Sequence, residues 1–553
     1  MPSGRRSHAL LRTAFAVSAL ATGAFLVPLA APAAADAPAT VALSVPDTQV
    51  TYVGTPETAN PSAEPENALA TTSGAPVVLQ TSMIGRESGE PTVGVGKDGT
   101  IFFPGDTFDT PGGEAARNLE FRSTDGGLTW TDVSPTAANV GNGANTHPVT
   151  LDTITYVDKD FGRVFSVDTL AAEGSVVSFS DDNGQTWTTS LAPAAGVNDH
   201  ETITTGVVPA GSNLVTIDPK FPKIVYYCVN TVAAVSCSRS LDGGLTFTQM
   251  NSPFPTHPTQ NLPLSALCSS LTGHLQTDSK GDLLVHSAWN EVAGCGVPAI
   301  AVSTDGGTTW NDYTVSSAIK DDFNQTSLSV DKDGNLYDLW QDDQFNLPYL
   351  SVSKDMGKTW STPVMVAPPG VNVTNFPDIA AGDDGRVTIT FPGSSDATAN
   401  TDGANAPWSY YVVFSNNALD AAPTFTSQVA QIPAAAGGGT TMHRGACNGR
   451  CGGLFDFLDV QIAPTPGGAA YASLSDDCTG ACATDATGKS NDPSAGAGML
   501  VREIAGPAQT GDADVLGGVT ADLPETRWVA LLPALATLVF GMLLWQRRRH
   551  GAS

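Results

Sequence analysis

The hydrophobic positions of the chain fall in short runs that alternate with polar turns. Runs such as Gly99–Phe103 and Gly334–Trp340 are rich in β-branched and aromatic residues, and each follows a Lys-Asp-Gly turn signal. This alternation is typical of short strands joined by tight hairpins. Helical periodicity is nearly absent outside the two ends of the chain. The pattern therefore predicts an all-β protein made of short antiparallel strands.

One turn sequence, Ser-x-Asp-x-Gly-x-Thr-aromatic, occurs five times. The copies begin at Ser123, Ser180, Ser240, Ser303 and Ser353, roughly 50 to 60 residues apart, and a strand-like run leads into each of them. A repeat of this length indicates an array of supersecondary units. We predict that each unit is a four-stranded meander with the octet between its third and fourth strands, which is the form of a propeller blade.

The residue types of the octet suit a structural turn. Its Asp can accept hydrogen bonds from the amides of the turn, and its Gly can adopt a positive φ without strain. The Ser and Thr hydroxyls can tie the loop ends together, and the aromatic ring is expected to fill the gap to the next sheet. Structural roles are thus predicted for Asp125, Trp130, Asp182, Trp187, Asp242, Phe247, Asp305, Trp310, Asp355 and Trp360.

The five octets resemble the Asp-box, or BNR, repeat of the sialidase-like β-propellers. The resemblance covers roughly residues 76–506 and implies four-stranded antiparallel blades. A unit with a degraded octet, residues 372–430, and a last unit without one, residues 447–505, would bring the total to seven blades. Six blades, as in sialidases, is the alternative. The run Pro76–Ser82 is expected to supply the outer strand of the last blade and close the ring.

The beginning of the chain predicts export. Residues 1–35 contain Arg5 and Arg6, an apolar run and a stretch of small residues, which together indicate a secretory signal peptide. The double Arg leaves the twin-arginine route open beside the general secretory route. Residues 36–75 are rich in Ala, Pro, Thr and Glu without a pattern, and we interpret them as a disordered linker.

The end of the chain predicts surface anchoring. Residues 507–526 are interpreted as a spacer and residues 527–546 as a transmembrane helix. The basic tail, residues 547–553, would lie in the cytoplasm, with the propeller outside the cell. The sequence Leu-Pro-Glu-Thr before the helix resembles a sortase signal, but Arg527 stands where that signal has Gly. Covalent linkage to the cell wall is therefore the alternative to a single-pass anchor.

Charge and cysteine content narrow the partners further. With 55 acidic and 26 basic residues, the chain has a formal net charge of −29, which argues against nucleic acid because phosphate binding requires clustered Lys and Arg. A monomeric propeller is expected. The eight cysteines of an exported chain predict local disulfides, and a zinc site near His443 is the alternative for the last two pairs. The predicted pairs are Cys228 with Cys237, Cys268 with Cys295, Cys447 with Cys451, and Cys478 with Cys482.

Candidate ligand contacts lie where the innermost strand of each blade begins, since propeller ligands usually occupy that end of the central channel. The polar residues at these positions are Glu90, His147, His200, Glu201, His274, Gln325, Asp378, Asp456 and Asp459. They would form an acidic funnel for a cation, an amine-bearing glycan or a peptide. His200, Glu201 and Asp459 could form a metal or acid/base site. The structural alternative is a channel lining that binds only water.

The family resemblance also implies exo-sialidase activity, which needs three arginines that bind the substrate carboxylate, a Tyr nucleophile coupled to a Glu, and an Asp acid/base. In the family the first arginine stands shortly before a proline. The equivalent place here has Glu90 before Pro91, and a negative charge there would repel a carboxylate. Arg122 and Arg239 precede octets and are expected to be structural. No catalytic residue of the family is carried over to this chain.

The sequence as a whole favours a cell-surface propeller that binds a glycan or a polypeptide at its channel mouth. An exo-sialidase-like glycoside hydrolase with a rearranged carboxylate site and a structural or assembly platform are the alternatives. The helix would add the membrane as a partner. No cofactor or metal is predicted. Asp331–Asn335 looks like the start of an EF-hand loop but has Gly at the fourth position, so only weak calcium binding is left open.

Overall fold

The computed structural model describes most of the compact unit Ala37–Ser553. Structural statements below concern the described residues, which are 39–57, 66–86, 88–105, 119–135, 153–170, 174–194, 198–231, 235–254, 273–290, 294–321, 326–399, 406–442, 458–464, 468–476 and 497–506.

Five short strands and a 3-10 helix, Pro46–Thr48, make up the N-terminal segment. The strands are β1 (Val41–Leu43), β2 (Val50–Val53), β3 (Thr55–Pro56), β4 (Ala68–Leu69) and β5 (Val78–Met83).

Four meanders of four antiparallel strands follow, each forming one sheet. Sheet 1 consists of β6 (Gly94–Val95), β7 (Ile101–Gly105), β8 (Leu119–Ser123) and β9 (Thr131–Asp132). Sheet 2 consists of β10 (Thr153–Val157), β11 (Val164–Leu170), β12 (Gly174–Ser180) and β13 (Thr188–Pro193). Sheet 3 consists of β14 (Asn198–Gly206), β15 (Ile224–Thr231), β16 (Val235–Ser240) and β17 (Thr248–Gln249). Sheet 4 consists of β18 (Gln276–Thr277), β19 (Leu283–Asn290), β20 (Gly294–Ser303) and β21 (Asn311–Thr314).

Three further sheets each combine a meander with strands of the N-terminal segment. Sheet 5 consists of β22 (Ser327–Val330), β23 (Leu336–Gln341), β24 (Pro348–Ser353), β25 (Val364–Met365) and β3. Sheet 6 consists of β26 (Val373–Thr374), β27 (Asp378–Ala381), β28 (Val387–Ser394), β29 (Ser409–Ser415), β30 (Thr424–Val429), β2 and β4. Sheet 7 consists of β31 (Val460–Ile462), β32 (Ala470–Asp476), β33 (Ala497–Ala505), β5 and β1. A second 3-10 helix, Ala434–Ala436, follows sheet 6.

The innermost strands of the seven sheets follow one another around a closed ring. In order they are β6, β10, β14, β18, β22, β27 and β31, and β31 contacts β6 again. Apolar side chains from facing sheets fill the spaces between them, as in the cluster that contains Leu284, Trp340 and Ile389. The prediction of an all-β propeller is confirmed, and the described strands of this propeller form seven sheets.

The ring is closed by pairing between strands from the N-terminal and C-terminal parts of the described chain. Strand β5 pairs antiparallel with β33, with Ser82 opposite Leu500, and becomes the fourth strand of sheet 7. The last sheet therefore takes three strands from the C-terminal part of the chain and one from the N-terminal part. The predicted role of Pro76–Ser82 is confirmed.

The prediction of a disordered linker over residues 36–75 is wrong for its described part. Strands β1, β2 and β3 add to the outer edges of sheets 7, 6 and 5, and β4 pairs with β2. Tyr52 of β2 is fully buried, stacks on Phe425 and donates a hydrogen bond to the carbonyl of Val366 at 2.6 Å. Asn67 donates to the carbonyls of Met365 and Ala367 at 3.0 and 2.7 Å. This segment, residues 39–57 and 66–75, is called the strap below.

All five octets form the same turn. The Asp Oδ1 accepts hydrogen bonds from the Ser hydroxyl and from the amide of the Thr, and Oδ2 accepts one from the Thr hydroxyl, all between 2.6 and 2.9 Å. These hydrogen bonds lower the pKa of all five Asp side chains, although desolvation opposes the decrease. The fifth residue of each octet has a φ between 79° and 105°, which explains why it is always Gly.

The octets also join neighbouring sheets. Trp187 donates its indole N–H to the carbonyl of Val133 in sheet 1 at 2.7 Å, and Trp310 donates to Asn251 after β17 at 3.0 Å. These aromatic residues therefore contact the preceding sheet rather than the next one. Arg122 of sheet 1 donates to the carbonyl of Asn183 in the octet of sheet 2 at 2.7 Å, and two other arginines make the equivalent bond.

These two arginines are Arg163, which donates to the carbonyl of Gly243 at 2.6 Å, and Arg239, which donates to that of Gly306. Each octet from sheet 2 to sheet 4 is thus held by an arginine of the preceding sheet. The structural roles expected for Arg122 and Arg239 are confirmed.

Cys228 and Cys237 lie opposite each other on β15 and β16 and form a disulfide, as predicted. The side chains of the other six cysteines lie outside the described part, and so do the predicted signal peptide, spacer, transmembrane helix and basic tail. None of the helices in the described ranges is long and apolar enough to cross a membrane.

Candidate functional site

Three of the predicted channel residues, His274, Asp378 and Asp459, meet at one end of the ring. They stand at or just before the first residues of β18, β27 and β31, the innermost strands of sheets 4, 6 and 7. One ligand atom from each of the three side chains lies within 4.8 Å of the other two. Because the three strands start at the same end of the ring, side chains far apart in sequence reach a common point. This group is called the mouth cluster below.

Backbone amides hold the two carboxylates of the mouth cluster. Asp378 Oδ2 accepts the amide of Val460 at 2.7 Å, and its Oδ1 accepts the hydroxyl of Ser327. Asp459 Oδ2 accepts the amide of Val93 at 2.8 Å. Each carboxylate is therefore fixed by a neighbouring sheet, and this bonding leaves both groups with defined orientations.

The mouth cluster concentrates negative charge in a nearly dry position. Asp378 and Asp459 are each only 1% exposed, whereas the side chain of His274 is 18% exposed. Burial and the neighbouring Asp459 raise the pKa of Asp378, although His274 and the hydrogen bonds of Asp378 oppose the rise. His274 Nε2 lies 3.6 Å from Asp459 Oδ1. The arrangement can hold a proton or a cation between the groups.

Three other predicted residues are buried near the starts of innermost strands but are not part of the mouth cluster. Glu90 precedes β6, and His200 and Glu201 lie on β14 at a register shift. Glu90 and His200 have positive φ values of 49° and 61°, as does Phe376 before β27 at 46°. Such backbone strain in non-glycine residues is often found at functional sites.

The predicted grouping of His200, Glu201 and Asp459 is not the one that forms. Among the described residues, Asp459 instead meets His274 and Asp378. His147, Gln325 and Asp456 lie outside the described residues, so their predicted roles stay predictions.

A cavity of about 450 Å³ runs along the propeller axis next to the mouth cluster. His274 and Asp459 line it at one end, and the hairpin turns after β10, β18 and β22 line the other. Its polar and charged lining comes from sheets 2, 3, 4, 5 and 7 and includes Thr155, Lys159, Asp160, Thr204, Thr205, Lys223, Gln276, Thr277, Asp278, Asp331, Lys332 and Gln461. Arginine is missing from the part of this lining that the structure describes.

Two lysines of the cavity were not predicted as site residues. The side chain of Lys159 lines the cavity and is accessible from it. The surrounding protein still removes part of its hydration, which lowers the pKa of Lys159, although the charge of Asp459 opposes the change. Lys223 binds Asp158 and Asp160 at 2.9 and 2.5 Å. Burial alone would lower the pKa of Lys223, but these two carboxylates have the larger combined effect and raise it. Lys159 lies in the hairpin turn after β10 and Lys223 directly precedes β15, so no motif in the sequence marked either residue.

A second histidine cluster, not predicted from the sequence, lies buried between sheets 4 and 5. His286 of β19 hydrogen bonds through Nδ1 to Asp338 of β23, and its Nε2 lies 3.7 Å from Asp321. Burial opposes protonation, but the two carboxylates raise the pKa of His286 to about 9. The three residues are fully buried, so we assign them a role in joining the sheets. Their separation in the sequence hides the group from motif analysis.

The fold and the site together define an all-β propeller with a polar axial cavity and a buried histidine–aspartate cluster at its mouth. No family model matches the chain. No curated protein matches it either.

Three solved structures illustrate what the chain is similar to in shape. A protein of unknown function from Dyadobacter fermentans is 14% identical, with a TM-score of 0.40, and the match covers 76% of this chain and 98% of that one. A Hadza microbial sialidase is 13% identical, with a TM-score of 0.37, covering 65% and 90%. A lectin of Aleuria aurantia in complex with Fucα1-6GlcNAc is 11% identical, with a TM-score of 0.35, covering 59% and 91%. All three TM-scores are below 0.5, so the fold assignment rests on the strand pairing described above.

Proposed function

We propose that the chain is an exported propeller that binds a glycan at the mouth of its central channel. The observation that carries this proposal is the axial cavity of about 450 Å³ beside the mouth cluster. Its volume lies within the usual range for small-molecule sites, roughly 300–1,000 Å³. A mono- or disaccharide unit at the end of a glycan chain would fit a cavity of this size.

The lining of the cavity favours a sugar over an apolar ligand. The amide of Gln276 offers a donor and an acceptor, and the hydroxyl of Thr277, which donates to the carbonyl of Thr205 at 2.7 Å, can still accept a hydrogen bond. Sugar hydroxyl groups need such mixed partners because each of them both donates and accepts. Lys159 adds a cation inside the cavity, and the carboxylate of Asp459 can accept a hydrogen bond from a hydroxyl or an amino group. The resemblance of the octets to the Asp-box repeat of sialidase-like propellers also supports a carbohydrate ligand.

A second candidate is an exo-sialidase-like glycoside hydrolase. Asp378 and Asp459 approach within 4.8 Å, and retaining glycosidases place two carboxyl groups about 5–5.5 Å apart. The raised pKa of Asp378 suits a general acid. Against this, both carboxyl groups are almost fully buried, and Glu90 stands where the family has its first substrate-binding arginine. Binding without turnover is therefore the better-supported function.

The test is a glycan-array screen with the full-length chain, followed by affinity measurement on the best sugar. Lys159→Gln is expected to weaken binding by about tenfold or more, because a hydrogen bond to a charged group contributes about 1.5–3 kcal/mol. Lys220→Gln is the matched control, since Lys220 is exposed and does not line the cavity. Equal affinities of the two variants, or no binding on the array, would contradict glycan recognition in the cavity.

A fluorogenic sialoside separates the binding protein from the hydrolase. We expect no turnover above buffer by the parent chain. Turnover that Asp378→Asn abolishes would instead establish the hydrolase and assign Asp378 as its acid.

We further propose that the propeller is displayed on the cell surface after removal of residues 1–35. The terminal sequences support this proposal through the signal-peptide pattern and the uncharged apolar stretch Trp528–Trp545. N-terminal sequencing of the mature protein should begin at Asp36, and protease added to intact cells should degrade the propeller. Protection from the protease would place the protein inside the cell.

A further inference from the structure

We propose that His274, Asp378 and Asp459 form a binding site for one divalent transition-metal ion, of the zinc class, at the channel mouth. The inference does not depend on glycan recognition, because metal binding is measured without a sugar. It differs from the grouping expected from the sequence, in which Asp459 was combined with His200 and Glu201, and from the alternative zinc site at the last four cysteines.

The first support is the spacing of the ligand atoms. Two ligands about 2.0–2.1 Å from one tetrahedral zinc ion lie about 3.3 Å from each other. His274 Nε2 and Asp459 Oδ1 are 3.6 Å apart, and all three ligand atoms fall within 4.8 Å of one another. The 3.6 Å separation is too long for a hydrogen bond between these two atoms, but small side-chain movements would bring both atoms within bonding distance of a shared ion.

The second support is the way in which the carboxylates are held. Val460 and Val93 each donate a backbone amide to the Oδ2 atom of one carboxylate, at 2.7 and 2.8 Å. Gln461 Nε2 also donates to Asp459 Oδ1 at 3.1 Å. Carboxylates that bind metals are usually hydrogen-bonded by such outer partners, which fix their orientation. The amides come from sheets 7 and 1, so the closed ring itself positions the ligands.

The donor set indicates the class of ion. One imidazole and two carboxylates suit zinc, manganese or iron(II), whereas calcium and magnesium prefer ligands that are all oxygen. The two carboxylates together carry two negative charges when ionised, which a dication would neutralise in this buried position. His274 is partly exposed and lines the axial cavity. A fourth coordination position on that side would be open to water or to a hydroxyl group of a ligand.

The experiment is calorimetric titration of the EDTA-treated and dialysed full-length chain with ZnCl₂, with MnCl₂ and CaCl₂ in separate runs. We expect zinc to bind, and His274→Ala and Asp459→Asn to weaken the binding at least about tenfold. Asp333→Asn is the matched control, because it makes the same chemical change at an exposed turn outside the cluster. Zinc affinity that is the same in the parent and in both cluster variants would overturn the proposal.

Cobalt(II) absorption provides a readout on the parent chain alone, in case a cluster variant fails to fold. Imidazole and carboxylate ligands are expected to give visible bands without the intense ultraviolet band of a thiolate ligand. A thiolate band would assign the metal to the cysteines and overturn the proposal. The absence of any spectral change in the parent would overturn it as well.

Discussion

Carboxyl groups in this propeller divide into two kinds by what surrounds them. The octet aspartates are half-buried or exposed and accept at least three side-chain and amide hydrogen bonds each, which lower their pKa. Glu120 and Asp378 are fully buried, and the loss of hydration raises the pKa of both. The same chemical group therefore stabilises a turn at the rim of the ring and holds a proton in its interior.

Glu120 predicts a pH dependence of stability. It lies in β8 and accepts hydrogen bonds from Thr155 at 2.8 and 3.0 Å, yet burial raises its pKa from 4.5 to about 8. Between these two values the folded chain keeps a proton that the unfolded chain has lost. The contribution of Glu120 therefore favours folding below pH 4.5 and declines as the pH rises through 8.

The variant Glu120→Gln removes this titration. Its stability relative to the parent should increase between pH 5 and 8, by at most about 1.4 kcal/mol per pH unit, and urea unfolding at several pH values measures it. Glu66→Gln, a change at an exposed carboxyl group, serves as the control. Parallel pH profiles of the parent and Glu120→Gln would contradict the prediction.

At the scale of the element, the strap acts as an added edge strand on three sheets. An exposed sheet edge offers unpaired amides and carbonyls, and β1, β2 and β3 cover the outer edges of sheets 7, 6 and 5. Tyr52 is the anchor of the strap because it is buried in the core shared by Trp340 and Phe425. The strap therefore belongs to the folded unit and not to a linker.

The variant Tyr52→Ala should lower the free energy of unfolding by about 3–5 kcal/mol, the usual loss for a buried aromatic residue. Leu69→Ala on β4 is the control from the same strap, since Leu69 is 68% exposed, and it should change stability by less than about 0.5 kcal/mol. Chemical denaturation of the purified variants provides both values. A strap that is only loosely attached would make the two variants indistinguishable.

At the scale of the whole molecule, the ring depends on contacts between distant parts of the chain. Strand β5 completes sheet 7 beside β33, more than 400 residues later in the sequence. The mouth cluster depends on the same closure, because Val93 of the first blade holds Asp459 of the last. Any change that opens the ring should therefore affect the site as well as the fold.

A chain that begins at Pro76 tests where the folded unit starts. It keeps β5 but lacks β1 to β4, and we expect its unfolding midpoint in urea to lie clearly below that of a chain that begins at Asp36. The loss should exceed that of Tyr52→Ala alone, because the contacts of Asn67 and three edge pairings are removed together. Equal midpoints for the two chains would restore the interpretation of residues 36–75 as a linker.

The sequence by itself determined the repeat. Five octets with a fixed Asp, Gly and Thr predict five identical turns, because each turn is made by hydrogen bonds between residues at most four positions apart. The closing strand could also be predicted, since a meander that lacks a strand must obtain it elsewhere. The strap could not be predicted, because a few residues of high β-propensity among Pro and Ala form strands only when they can pair with the edge of an existing sheet.

The sequence determined the candidate site only in part. Polarity at the starts of the innermost strands identified His274, Asp378 and Asp459 as candidates, but gave the partners of Asp459 incorrectly. Which side chains meet depends on the order, twist and tilt of the seven sheets around the axis, and so does the buried His286–Asp338 pair. Local hydrogen bonds are encoded by neighbouring residues, whereas convergence across the channel exists only after the ring has closed.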